Sequence, residues 1–187
     1  MKRSLLLAVI VVFAASQAFA FGGSIGLFAS PAGASCALLQ GPVTQPTMLH
    51  IDSDGTTGSQ YQALVPTCAG LVHLADLLNF AVSVGNTQQG LSVGYGACDN
   101  TGSVNIGSMF TQMTVPTTGC CTWSVGLHPG FPDPTAVSTT CATPIGEEPA
   151  AGGSAILSVN TGVCPCNIAN QESTWGGVKE LFRTDDI

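Results

Sequence analysis

Apolar and polar residues alternate with a period of two along much of this chain. Phe80, Val82 and Val84 alternate with Ala81 and Ser83. After a Gly85-Asn86-Thr87-Gln88-Gln89-Gly90 turn, Leu91, Val93 and Tyr95 alternate with Ser92, Gly94 and Gly96. Successive strand side chains point to opposite faces, so the two runs predict a hairpin. Val104 and Ile106 open another strand, but Met109, Met113 and Val115 carry the opposite phase, which predicts a bulge near Gly107-Ser108. Cys121, Trp123, Val125 and Leu127 share one face, opposite Cys120, Thr122, Ser124 and His128. Weaker strands fall at 25–29, 48–51, 136–141 and 155–159.

Two segments depart from this period. Leu71, Leu74, Ala75 and Leu78 fit helical spacing, which predicts one or two helical turns over 70–79. Ser173 or Thr174 caps a predicted amphipathic helix from Trp175 to about Arg183, with Trp175, Val178 and Phe182 on one side. Glycine and proline are spread throughout, and Ser, Thr, Asn and Gln supply most of the polarity. About eight short strands joined by turns predict an all-β fold. The expected form is a disulfide-stapled antiparallel β-sandwich, immunoglobulin-like in general architecture, with a short C-terminal helix. A β-barrel is the runner-up.

Lys2 and Arg3, the apolar run 5–15 and Ala18-Phe19-Ala20 read as a secretory signal peptide cleaved after Ala20. That run is too short to cross about 30 Å of hydrocarbon, so no membrane span is expected after signal cleavage. The predicted organisation is a signal peptide over 1–20, a sandwich domain over 21–170, and a C-terminal helix and tail over 171–187. The expected location is secreted: periplasm, cell surface or medium.

Charge narrows the partners. Residues 21–178 contain no lysine or arginine, and the whole chain carries a formal net charge of −7. Such a body neutralises no phosphates, which excludes nucleic acid and disfavours anionic membrane surfaces. It forms no Arg–carboxylate or Lys–carboxylate pair either, so its stability rests on burial, hydrogen bonds and covalent staples.

The eight cysteines are Cys36, Cys68, Cys98, Cys120, Cys121, Cys141, Cys164 and Cys166. An even number in an exported chain predicts disulfides. Adjacent Cys120 and Cys121 point to opposite faces of an extended chain, so they have different partners, and Cys121 is the core member. Neither Cys120-Cys121 nor Cys164-Pro165-Cys166 has the C-x2-C spacing of a zinc knuckle.

Other motifs are thin. Gly22-Gly23-Ser24-Ile25-Gly26 matches G-x-S-x-G, but a nucleophile elbow needs βα units that are missing downstream, so a glycine-rich first strand is expected. His50 and His128 fall opposite the apolar residues of their strands and read as exposed; no carboxylate or nucleophile is spaced beside them or His73. Asp52-Ser53-Asp54-Gly55 reads as an Asp-Gly turn, with Asp52 and Asp54 as a weak calcium candidate. Glu147-Glu148 reads as a solvated loop, and Cys98-Asp99-Asn100-Thr101-Gly102 as a turn. Trp123 and Tyr95 are in phase with apolar neighbours and read as core, not as sugar platforms.

Gly26-Leu27-Phe28-Ala29, the stretch from Val84 to Cys98, and the ending Cys164-Pro165-Cys166 followed by Thr174-Trp175-Gly176-Gly177-Val178-Lys179-Glu180-Leu181-Phe182-Arg183 carry a resemblance. The chain resembles a group of uncharacterised exported bacterial β-rich proteins that share a T-W-G-x-x-K-x-L-(Y/F)-R tail. The resemblance implies a small exported β-rich protein and no activity.

The absence of a convergent acid, base and nucleophile set predicts a non-catalytic structural or interaction protein. It is expected not to be an enzyme, to need no cofactor, and to meet an unknown protein or cell-envelope partner. Trp175, Lys179, Phe182 and Arg183 are the candidate docking or recognition residues. The alternatives are a ligand-binding module for glycan or calcium, and a thiol-redox or metal protein using Cys164 and Cys166.

Overall fold

The computed structural model describes residues 23–130, 136–158 and Cys164. The expected signal peptide, Cys166, and the C-terminal helix with Trp175, Lys179, Phe182 and Arg183 lie outside the described residues.

The described chain is all β. Its strands are β1 (Ser24–Phe28), β2 (Ala37–Leu39), β3 (Val43–Thr44), β4 (Thr47–Ile51), β5 (Thr56–Tyr61), β6 (Gly70–Leu78), β7 (Val82–Asn86), β8 (Gly90–Asp99), β9 (Ser103–Val115), β10 (Cys121–Ser124), β11 (Ala136–Thr140), β12 (Glu147–Gly152) and β13 (Ser154–Ser158). Ten of them form one sheet in the order β3-β9-β4-β1-β12-β11-β5-β8-β7, with β6 also paired to β9. The sheet folds over on itself, so β4 faces β5 and β8 across the core. The Tyr61 hydroxyl of β5 reaches Met48 Sδ of β4 at 3.1 Å. His50 of β4 and Tyr95 of β8 bring their ring centroids to 6.0 Å. A smaller sheet, β10-β13-β2, adds Trp123 and Leu157 to the same core. The expected β-sandwich is thus the observed fold. Most pairings are antiparallel, but β1 with β12 and β13 with β2 are parallel.

Burial is the main stabilising term. Ile25, Leu27, Met48, Leu91, Ile106 and Met109 are essentially without solvent contact, and each such side chain contributes about 1.5–3 kcal/mol relative to exposure. Covalent staples add to this. Cys68 pairs with Cys121, Cys98 with Cys141 and Cys120 with Cys164; Cys36 is also disulfide-bonded. The adjacent cysteines therefore diverge to different partners, and the fully buried one is Cys121. Because Cys164 is tied to Cys120, the C-P-C motif is not closed on itself as a redox pair.

The bulge in β9 lies where the phase of its apolar residues changes. Met48 faces Gly107 and Leu49 faces Asn105, which leaves Ile106 as the extra residue. Gly107 adopts φ 146°, and a Cβ there would collide with the Leu77 carbonyl. Only glycine takes that conformation at that spacing without strain.

The helical turns expected over 70–79 are not there; the segment is strand β6. Its register shifts between His73 and Ala75. That bulge puts Leu71, His73, Asp76 and Leu78 on the inner side and leaves Leu74 and Ala75 outside, so the helix-like spacing of Leu71, Leu74, Ala75 and Leu78 mixes the two faces of a bulged strand. Glu147-Glu148 is likewise not a loop but the start of β12. Pro149 is tolerated there because β12 meets β1 only through Ala151 and Gly152, so Pro149 has β11 alone as a neighbour.

Candidate functional site

The polar side chains that could do chemistry gather at two places, and both are built into the core. At the first, His50 projects inward beside Met48, not outward as its strand phase suggested. The expectation failed because β4 is covered on both faces: Leu49, on the opposite face, lies under the 29–35 loop, where Gly33 approaches its side chain. His50 is 0% exposed. Its Nδ1 lies 3.0 Å from the Tyr95 hydroxyl, which donates to Ser59 Oγ at 2.8 Å. On the other side, His50 Nε2 is 4.0 Å from Asp52 Oδ2. Asp52 Oδ2 accepts from Ser138 Oγ at 3.3 Å, and Ser138 meets Thr56 Oγ1 at 3.1 Å. Asp52 Oδ1 accepts the Asp54 N–H at 2.9 Å, closing the expected turn after β4.

This row of acid, imidazole, phenol and hydroxyls has the parts of an acid–base site without the access. His50, Asp52, Ser59, Thr56 and Ser138 are all buried. A general base must come within hydrogen-bond reach of the proton it takes, and no substrate atom reaches His50 in this conformation. Burial also pushes the Tyr95 hydroxyl far above its ordinary pKa, with the carboxylates of Asp99 and Asp52 adding to the effect against the Ser59 hydrogen bond. Tyr61 is raised as well, by burial first and then by Tyr95 and Asp76. Both phenols stay neutral and serve as hydrogen-bonding struts.

The second place joins β6 to the β7–β8 turn. The β6 bulge brings His73 and Asp76, three residues apart, to the same face. Asp76 Oδ1 meets His73 Nε2 at 2.9 Å and accepts from Thr87 Oγ1 at 2.8 Å. Its Oδ2 accepts the Thr87 N–H at 2.8 Å. Gln88 locks the same turn, donating to the Ala63 carbonyl at 3.0 Å and accepting from the Val65 N–H at 3.0 Å. The trio has the composition of a nucleophilic triad but the wrong wiring. In a triad the base uses its two nitrogens separately, one on the acid and one on the nucleophile. Here the same Nε2 faces both Asp76 and Thr87, at 2.9 and 3.3 Å, and Thr87 is fully buried. The arrangement clamps two elements together.

An open cleft of about 310 Å³ lies over the end of the sandwich, lined by Asp52, Asp54, Gly55, Thr140, Cys141, Ala142 and Glu148. It brings both calcium-candidate aspartates together with Glu148. The Asp52 oxygens are already engaged, by the Asp54 N–H and Ser138. Among the described residues, no three His, Cys, Asp or Glu side chains converge to hold a metal ion. The Cys98–Cys141 disulfide sits at the same end. Next to it, Asp99 accepts from Thr101 through both the side chain and the backbone, which holds its carboxyl below the ordinary range.

The remaining candidates separate cleanly. Ser24 is buried in β1, a strand that leads to no helix among the described residues. Trp123 is fully buried and Tyr95 is wedged between His50 and Phe80, so neither is a sugar platform. His128 lies beyond the end of β10, partly buried, and its Nδ1 accepts the Gly130 N–H at 3.0 Å.

Sequence reasoning missed the apolar surface. In the hairpin, Val82 faces Gly94 and Val84 faces Ser92, while Ser83 faces Val93. Cross-strand partners share a face, so the apolar phases of the two strands lie on opposite sides. Leu91 and Val93 enter the core, whereas Val82 and Val84 stand 66% and 74% exposed on β7, the last strand in the sheet order. The signal was the register implied by the turn length, which the alternation of each run alone does not contain.

No family model matches this chain, and no curated protein matches it. Among solved structures, a cohesin module from the Clostridium perfringens ATCC13124 family 33 glycoside hydrolase is similar in fold. The two share a TM-score of 0.51 and 9% sequence identity, over 75% of this chain and 98% of that one. The similarity is one of β-sandwich architecture.

Proposed function

We propose that this chain is an exported, non-catalytic structural or interaction protein. The observation that carries the reading is the pair of exposed valines, Val82 and Val84, on an edge strand that pairs on one side only among the described residues. Edge strands offer unpaired N–H and C=O groups, and proteins that must avoid partners blunt them with lysine, proline or bulges. β7 has none of these devices. The internal wiring of both histidine clusters supports the same reading, because each supplies rigidity where an enzyme needs access. The disulfides suit an extracellular or periplasmic environment. Among the described residues no helix is long and apolar enough to cross a membrane. That the structural neighbour is a module of a glycoside hydrolase agrees with a supporting role beside chemistry done elsewhere. In this reading Trp175, Lys179, Phe182 and Arg183 are the docking residues of the C-terminal segment.

Two measurements on the purified exported protein test this. A broad hydrolase screen is expected to show no turnover; turnover abolished by His73→Ala or His50→Ala in a folded protein overturns the reading. The double substitution Val82→Lys/Val84→Lys is expected to abolish retention on cell-envelope material while leaving the fold intact. Unchanged retention removes β7 as the interaction edge.

A further inference from the structure

A second exposed apolar surface lies on the outer face of β3, β9 and β6. Val43 and Val72 both pair with Gln112, one from each side, so the three side chains form one row on one face. Leu77 faces Ser108 on the same side, and Ala75 faces the partly buried Phe110. Leu74 is pushed outward at the bulge. Val43, Val72, Leu74 and Leu77 are each about half exposed. Exposed aliphatic residues of β3 and β6 thus flank Gln112, Phe110 and Ser108 of β9 and form an apolar patch on one face of the sheet.

The exit of the chain points to what covers this face. The Gln40 N–H donates to the Ser158 carbonyl at 3.2 Å, three residues before Val43. The Gln40 side chain makes two hydrogen bonds to the backbone of Thr117, just beyond the end of β9. Cys164 is then fixed to Cys120, whose neighbour Cys121 is bonded to Cys68, two residues before β6. Two ties, at Ser158 and Cys164, thus hold the departing chain beside segments that border the apolar face. Eleven residues separate Cys164 from Trp175, a reach of roughly 36 Å when extended. The face from Val72 to Leu77 runs roughly 17 Å along β6. Beyond Asn170 the chain concentrates Trp175, Val178, Leu181 and Phe182, and a tether of this length gives an effective concentration on the order of millimolar.

We infer that the C-terminal segment 171–187 docks on the outer face of β3, β9 and β6 of its own chain, with Trp175 and Phe182 covering Val43, Val72, Leu74 and Leu77. The inference is independent of the edge-strand interaction, since Val82 and Val84 lie on the other sheet half.

Lys179 supplies the test, because it is the only lysine beyond residue 2, and insertions from a label on the N-terminal amine are told apart by the peptide that carries the label. The full exported chain is labelled at Lys179 with an amine-reactive diazirine and irradiated, and the insertions are mapped. Insertions within one chain at residues 43–44, 70–78 and 108–112 are expected. Insertions confined to other surfaces overturn the inference, and so do insertions that occur only between chains and grow with concentration, which assign the face to a second copy. Carbene footprinting of the Trp175→Ser/Phe182→Ser variant is the companion measurement. Labelling of Val72, Leu74 and Leu77 is expected to rise several-fold with Val82 and Val84 unchanged. Equal labelling in both proteins contradicts the docking.

Discussion

Tyr61 and Tyr95 are the residues at which the interior is most exposed to a change of solvent conditions. Both hydroxyls are held neutral by burial, well above the ordinary tyrosine pKa. An acid whose folded-state pKa is raised binds its proton more tightly in the folded state. The resulting stability is therefore present below the unfolded pKa of about 10 and is lost as pH rises beyond it. Each phenol contributes a slope of up to about 1.4 kcal/mol per pH unit in that window. Chemical denaturation between pH 8 and 12 is expected to show a flat region followed by a steep fall above about pH 10. Tyr61→Phe is expected to make that fall shallower. A stability profile flat to pH 12 contradicts the burial of these hydroxyls. At this same scale the histidines were least legible in the sequence. The phase of His50 against Leu49 and Ile51 was read correctly, but the face that forms the core was not, because both faces of β4 are covered. The partners of His73 depend on a bulge that puts residues three apart on one side, which no period-2 reading contains.

At the scale of elements, alternation of apolar residues marks β7, whose Val82 and Val84 face outward, as well as the strands whose inner face is apolar. β1, β4, β8, β9, β10, β11 and β13 all carry an aliphatic, aromatic or cysteine row into the core. β5 was missed because its inner residues are Thr56, Ser59 and Tyr61, which meet the core through hydrogen bonds to Ser138, Tyr95 and Met48. β6 carries helix-like spacing because its inward Leu71 and Leu78 and its outward Leu74 and Ala75 lie on either side of a bulge. The bulge in β9 was legible because the switch in apolar phase coincides with a glycine. Gly107 is the residue on which that element turns: a side chain there meets both an unfavourable φ and the backbone of β6. Gly107→Ala is expected to lower stability by about 2 kcal/mol or more, with loosened β6 amides in hydrogen exchange. A change within about 0.5 kcal/mol, the range of ordinary surface substitutions, contradicts the close approach of β6 and β9.

For the whole molecule, the absence of lysine and arginine from residues 21–178 forces a particular economy of stabilisation. Carboxylates are satisfied by backbone amides, hydroxyls and histidine, as Asp52, Asp76 and Asp99 show. Long-range ties are covalent. The Cys68–Cys121 bridge closes a separation of 53 residues, worth about 4 kcal/mol in the chain-entropy model. The bridges also decide geometry: Cys120 and Cys121 send one chain to two places, the start of β6 and the segment around Cys164. The sandwich class and the diverging cysteines were readable from composition and spacing. The pairing was not, since connectivity depends on which strands become neighbours, and that follows from a topology with two parallel pairings and a sheet whose β4 meets β5 and β8 across the core.

The fold rests most heavily on that covalent framework, and disulfide mapping of the purified protein tests it most directly. Trypsin has no site within residues 21–178, so the unreduced protein is digested with pepsin. Fragmentation between Cys120 and Cys121 then separates their partners. Links of Cys68 to Cys121, Cys98 to Cys141 and Cys120 to Cys164 are the predicted result, with no thiol alkylated before reduction. A Cys164–Cys166 link, or free thiols at either position, contradicts the fold described and returns the C-P-C pair to redox or metal chemistry.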